Sequence, residues 1–213
     1  CRLGHRAVEQ LPGLVPLVSP DPWVHRMQGA RVEAMVSAQY GGERVEDCGE
    51  VLFTAYGLSG PVILNLSARL VPWLRRGPVE LVIDLFPERS PEQLSEMLKT
   101  RWEANPHRSL TASLVGLLPD RVAGPLVEGL GLPGDLPARD ATRQQRWSLA
   151  QHLHAWRVPV TSPRPLDFAE VTIGGIETRQ VDPETLESRL VPGLHLAGEM
   201  LDVHGDLGGY NLQ

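Results

Sequence analysis

The sequence predicts an α+β fold in which a small helical module is inserted into an antiparallel β domain. Three observations carry this reading. Several short runs between residues 31 and 85 alternate apolar and polar side chains, the period of strands with one buried face. Residues 91–156 switch to apolar spacings of three and four, the period of a helix stripe. Strand texture then returns at Arg157-Val158-Pro159-Val160-Thr161 and at Ala169-Glu170-Val171-Thr172-Ile173. An order of β, then α, then β is explained with the fewest assumptions by an insertion.

The elements follow in chain order. Residues 1–6, Cys1-Arg2-Leu3-Gly4-His5-Arg6, read as the frayed end of a helix with Gly4 as its cap. Pro12, Pro16, Pro20 and Pro22 make residues 11–22 extended chain with edge-strand pieces. Val32, Ala34, Val36 and Ala38 face one side of a strand, Tyr40-Gly41-Gly42-Glu43 turns it, and Val45 starts the return. Val51-Leu52-Phe53-Thr54 reads as another strand. In Gly57-Leu58-Ser59-Gly60-Pro61, Ser59 is expected to cap a helix that Pro72 and Gly77-Pro78 end. A nucleophile elbow would need glycines two residues to either side of Ser59, and Gly57 and Gly60 do not provide that. Val79, Leu81, Ile83 and Leu85 alternate as a strand.

Ser90-Pro91-Glu92-Gln93 is a capping box with proline at the first helical position. Leu94, Met97, Leu98 and Trp102 form the stripe behind it. Leu110, Leu114, Leu117 and Leu118 form a second stripe, and Val122, Leu126 and Leu130 a third, weakened by Gly124-Pro125. Leu149, Leu153 and Trp156 mark a fourth. The next strand is expected to end at Gly174-Gly175, and Asp182-Pro183-Glu184-Thr185 to cap a helical turn. Leu194–Ala197 reads as a buried strand, followed by an acidic glycine-rich loop and a Gly208-Gly209 step into a helix.

Composition narrows the function classes. The chain has 213 residues, of which 42% are hydrophobic and 22% charged, ordinary for a globular protein with one large domain or two small ones. The net charge is -6, and the cations are scattered, so nucleic acid and anionic membranes have no electrostatic support as partners. Cys1 and Cys48 make neither a disulfide framework nor a metal cluster and read as free thiols of a reducing cytoplasm. The chain has no initiator methionine and both ends fall inside elements, which reads as an excised piece of a longer protein.

Four places invite chemistry. Glu199 follows the last strand, where a carboxylate accepts from a ribose or ribityl hydroxyl or is simply a loop acid. Gly208-Gly209-Tyr210-Asn211 allows close backbone approach to a flat or anionic group, or makes a tight turn. Asp202, His204 and Asp206 are ligand types for a divalent ion, and a metal-dependent hydrolase is the reading they would support, without a second histidine to close the site. His152 and His154 are two apart and point to different sides of a helix. The lack of a complete catalytic constellation also motivates a non-enzymatic docking or oligomerisation module.

Four segments together resemble the YhiN/BaiN-like family of bacterial flavoproteins, described as NAD(P)/FAD-dependent or aminoacetone-oxidase-type oxidoreductases. They are Leu3-Gly4-His5 with Leu14-Val15-Pro16-Leu17; Gly49–Thr54 running into Gly57–Pro61; Ala169–Gly175 with Thr185-Leu186-Glu187-Ser188; and Gly198-Glu199-Met200-Leu201-Asp202 through Gly205 to Gly208-Gly209-Tyr210-Asn211-Leu212-Gln213. The resemblance implies a β-barrel-like antiparallel domain of residues 1–90 and 157–193, a helical subdomain of residues 91–156, and a stub of a split FAD-binding domain at residues 194–213. It implies that Gly198, Glu199, Asp202, Gly208, Gly209 and Asn211 neighbour FAD in the full-length protein, with NAD(P) as a further cofactor to test. The implied partners are the missing dinucleotide-binding portion of the same polypeptide and a small-molecule substrate. The Gly-x-Gly-x-x-Gly fingerprint of such a portion does not occur here, so these residues alone are expected to be inactive and free of flavin. The catalytic acid or base stays unassigned.

Overall fold

A computed structural model describes residues 3–212. Its centre is a seven-stranded antiparallel sheet of β2 (Leu17–Val18), β3 (Arg31–Tyr40), β4 (Glu43–Thr54), β5 (Gly57–Ser59), β6 (Val79–Asp84), β7 (Trp156–Val160) and β8 (Ser162–Pro163). The spatial order is β7-β6-β3-β4-β5-β2-β8. The edge strands β7 and β8 are consecutive in sequence with Thr161 alone between them, so the sheet curls back on itself. Thr161 N–H donates to the Val18 carbonyl at 2.9 Å, and the Ser19 hydroxyl to the Pro159 carbonyl at 2.7 Å, across the seam. These bonds cover part of the edge that β7 and β8 would otherwise expose. This is the expected α+β, barrel-like architecture.

The β3–β4 hairpin follows its local code. Val32, Ala34, Val36 and Ala38 are all buried. Tyr40 pairs with Glu43 across Gly41 and Gly42, whose φ values of 57° and 87° match the two left-handed positions of the favoured two-residue hairpin turn. Sequence reading splits the return into two strands, but β4 runs unbroken through Gly49. Helix α2 (Pro61–Leu74) crosses there, and a Cβ on Gly49 would meet Val62 Cβ at 3.6 Å.

Two expectations for α2 need correction. Gly60 is the N-cap, without a side-chain cap bond, because Ser59 is the last residue of β5. The helix also continues past Pro72 to Leu74. Trp73 and Leu74 are buried in this last stretch, and Trp73 stacks on Tyr40 with ring centres 5.8 Å apart, an apolar gain that offsets the lost helix bond.

Between β6 and β7 lie α3 (Pro91–Ala104), α4 (Leu110–Ser113), α5 (Asp120–Gly129) and α6 (Arg143–His154). The capping box of α3 forms as read, and Thr142 with Gln145 builds a second one on α6. The Leu110–Leu118 stripe yields only the single-turn α4. A further helix, α1 (Pro22–Arg26), starts where Asp21 accepts from Trp23 N–H, inside the region read as extended. Trp156 belongs to β7 rather than to the α6 stripe, and stacks on Phe53 at 5.6 Å. Leu94, Leu98, Leu126 and Leu153 of the helices share one hydrophobic core with Phe53, Leu81 and Ile83 of the barrel.

A separate two-stranded ribbon pairs β1 (Ala7–Gly13) with β9 (Val171–Ile176). Here β9 passes through Gly174-Gly175 instead of ending there. Gly174 has φ 92°, and a Cβ on it would stand 2.2 Å from the Glu9 carbonyl oxygen, beside an irregularity in register between Val8 and Leu11. Only glycine admits this approach. Leu3 and Gly4 form a turn before the ribbon; the helix end read at residues 1–6 falls partly on Cys1 and Arg2, outside the described residues, as do the thiol of Cys1 and the position of Gln213.

Candidate functional site

The glycine-rich terminal segment lies against β9. Its first half is tied to the strand's backbone. Thr172 N–H donates to Glu199 Oε1 at 3.2 Å, and Gly174 N–H to Asp202 Oδ1 at 3.1 Å. Asp202 N–H in turn donates to the Ile176 carbonyl at 2.9 Å, and Leu201 bridges Ile176 in parallel sense. The glycine at 175 permits this crossing, since a Cβ there would meet the Met200 carbonyl oxygen at 2.8 Å. Glu199 and Asp202 therefore satisfy strand-edge donors, an arrangement that orders the loop.

The second half is closed by Asn211. Its side-chain oxygen accepts from Gly205 N–H at 2.7 Å, and its amide donates to the carbonyls of Gly205 at 3.1 Å and Asp206 at 3.2 Å. Leu207 packs on Leu14, Leu64 and Val171, while its N–H donates to Asn65 Oδ1 of α2 at 2.8 Å. Both halves thus meet at β9, the first through Thr172 and Gly174, the second through Val171.

Gly198, Gly208 and Gly209 are exposed. A Cβ on Gly198 or Gly209 would meet nothing within 4 Å, and one on Gly208 would meet only the Tyr210 ring. The N–H groups of Gly208 and Gly209 donate to no group among the described residues. Backbone that is open in this way fits approach by a flat or anionic group. The step into a helix appears as a short 3-10 turn over Gly209–Leu212.

Neighbouring expectations change in detail. Leu194–Ala197 is not a full strand. It pairs with residues 186–188 through Ser188 N–H to the Leu194 carbonyl and Leu196 N–H to the Leu186 carbonyl, leaving Leu196 buried and His195 exposed. Asp182 makes a side-chain turn, accepting from Glu184 and Thr185 N–H groups, which holds its carboxyl below the usual range. His204 and Asp206 are exposed, and among the described residues no three His, Cys, Asp or Glu side chains gather to hold a metal ion.

Two histidine contacts escaped the sequence reading because their partners are distant in the chain. His154 Nδ1 stands 3.0 Å from Asp84 Oδ2, at an angle that falls short of a hydrogen bond. Burial pushes the Asp84 carboxyl up, against the pull of Phe86 N–H and of His154. His5 is buried, its Nε2 2.7 Å from the Ser188 hydroxyl. An open groove of about 990 Å³ between α3 and α6 shares no residue with this segment and mixes Glu92 and Glu96 with Lys99, Arg143 and Arg146.

The family described as "HI0933-like protein barrel and H2TH domain" matches residues 11–171, most of the chain. The chain belongs to the HI0933-like family. The match takes in the closed barrel and the helices between β6 and β7 together. Among curated proteins, the chain is 33% identical to a 3-dehydro-bile acid delta(4,6)-reductase of Clostridium scindens, over 99% of this chain and 52% of that protein. It is 35% identical to a ribosomal RNA dihydrouridine synthase of Escherichia coli, over 94% of this chain and 48% of that protein. It is 31% identical to the ribosomal RNA dihydrouridine synthase of Haemophilus influenzae, over 99% and 52%. The chain spans about half the length of these curated relatives. No helix among the described residues is long and apolar enough to cross a membrane.

Proposed function

We propose that this chain is the covering domain of a cytoplasmic FAD-dependent oxidoreductase, and that it shapes the substrate pocket over a flavin gripped by the remainder of the same polypeptide. The terminal segment supports the reading most directly: open glycine backbone at 198, 208 and 209 on a loop held in place by Glu199, Asp202 and Asn211. FAD would supply the two-electron chemistry, and the protein would bind and orient it. In this reading the three glycines approach the cofactor through their backbone, and the two carboxylates and the Asn211 amide keep that backbone in shape.

The exposed apolar side chains favour a covered surface. Leu3 and Val8 at the ribbon end, Leu186 and Leu190 in the segment that pairs with residues 194–196, and Met200, Val203 and Tyr210 in the terminal segment are exposed. Large apolar side chains left exposed in neighbouring segments favour an interface. The dinucleotide-binding portion is its occupant in this proposal.

The similarity to a delta(4,6)-reductase and to dihydrouridine synthases supports reduction of a carbon–carbon double bond; in this proposal NAD(P)H is the hydride source. A net charge of -6 favours a small-molecule substrate. Ribosomal RNA is the second reading, favoured by the 35% identity to the Escherichia coli enzyme. The test compares these 213 residues with the full-length protein. The full-length protein is expected to purify yellow and to oxidise NAD(P)H in the presence of a conjugated enone, whereas the shorter chain is colourless. A full-length protein free of flavin would overturn the proposal. Loss of dihydrouridine from the ribosomal RNA of a deletion strain would select the RNA reading.

A further inference from the structure

Three arginines are half-buried among the described residues, Arg101, Arg146 and Arg164. Arg101 donates to the carbonyls of Ser113 and Val115, and Arg146 to the Ser95 hydroxyl. Arg164 differs. Its Nε is shut off from solvent and has no hydrogen-bond partner. No carboxylate among the described residues lies within ion-pair distance of its guanidinium, although Asp167 and Glu170 follow closely in sequence. A charged donor left without a partner costs more than the ~1–3 kcal/mol of a neutral one, so such groups are rare unless something uses them.

The surroundings hold this guanidinium ready. Its central carbon lies 3.8 Å from the centre of the Phe168 ring and 4.4 Å from that of Tyr56, so stacking sets its plane. The backbone is stiff where the side chain departs: prolines stand on both sides in Ser162-Pro163-Arg164-Pro165, and Arg164 N–H is bonded to the Pro16 carbonyl at 2.9 Å. Leu166 and Phe168 are exposed beside it. A planar fork of donors, fixed in orientation and flanked by apolar surface, matches a carboxylate or phosphate bound in two-point fashion.

We propose that Arg164, stacked on Tyr56 and Phe168, is a binding site for an oxyanion, a carboxylate or phosphate group carried by a ligand with an apolar or planar body. None of the three residues belongs to the glycine loop, and occupancy of the site does not depend on flavin. The test titrates the full-length protein by calorimetry with benzoate, inorganic phosphate and a short single-stranded RNA. Wild type is expected to bind at least one probe saturably. Arg164→Gln should weaken that binding tenfold or more. Arg164→Lys, which keeps charge and stem but loses the fork, should weaken it severalfold, as should Phe168→Leu, which loosens the stack. Circular dichroism checks that each variant is folded. Binding of benzoate or phosphate identifies a free small anion as the source; binding of the RNA alone, weakened by salt, identifies a phosphodiester. Saturable binding by none of the three, or equal binding by Arg164→Gln and wild type, overturns the proposal.

Discussion

Acidification should destabilise this fold through one histidine. His152, near the end of α6, has its ring 6.0 Å from that of Trp156 and lines a small cavity of about 120 Å³ with Asp21, Trp23 and Leu126. Burial depresses its pKa from 6.5 to about 4, against a weaker opposing pull from Asp21; Arg157 on β7 also borders the cavity. In the unfolded chain the ring titrates near its ordinary value, so above that pH it is neutral in both states and its packing contributes fully. As pH falls from 6.5 toward 4, the unfolded state gains a proton that the folded state resists. One pKa unit corresponds to about 1.4 kcal/mol, so the whole contribution is about 3 kcal/mol, of which about 2 kcal/mol is lost by pH 5. Urea unfolding of wild type and His152→Gln at pH 7, 6 and 5 measures it. Carboxylate effects are common to both proteins, and the wild type should lose about 2 kcal/mol more than the variant between pH 7 and 5. A nuclear magnetic resonance titration should place the ring's midpoint near 4. Parallel pH profiles, or a midpoint at the ordinary histidine value, would refute the reasoning.

Gly174→Ala places a methyl group 2.2 Å from the Glu9 carbonyl oxygen at a φ of 92°. Left-handed strain alone costs about 1–2 kcal/mol, and the clash should separate β1 from β9. Hydrogen exchange should show β1 amides losing protection while those of β3 and β4 keep theirs; unchanged β1 protection would count against the ribbon's register. Ser113→Ala removes the acceptor of Trp102 Nε1–H, 2.9 Å away in the core, and is expected to cost about 1–3 kcal/mol in urea unfolding. A neutral result would mean that another acceptor reaches the indole.

The exposed glycines and the carboxylates of the terminal segment illustrate how tertiary context changes a site. Glu199 and Asp202 stand out in sequence as acids in a glycine-rich loop. Only the fold shows that both accept from β9, across separations of 27 and 28 residues. Asn211, by contrast, closes a loop of its own neighbours at Gly205 and Asp206, a contact within reach of local reasoning. Arg164 is harder to find from sequence, since Phe168 stands four residues on but Tyr56 reaches it from the turn between β4 and β5, 108 residues earlier in the chain.

What the sequence determined by itself is whatever a few neighbouring residues decide: the alternation of β3, the Gly41-Gly42 turn, the capping box of α3, and the insertion of helices between strands. These rest on side-chain period and on backbone donors satisfied within one turn. Trp156 marks the boundary. Its spacing continues the α6 stripe, yet Ala155 ends the helix and Trp156 opens β7, because strand pairing with Ile83 and stacking on Phe53 outweigh one more helical turn. Barrel closure between β7 and β8, the passage of β9 through its glycines and the seat of the terminal segment came only from the tertiary structure. Each joins backbone groups far apart along the chain, and such pairings are chosen by packing and by the need to satisfy buried donors, for which no local pattern exists.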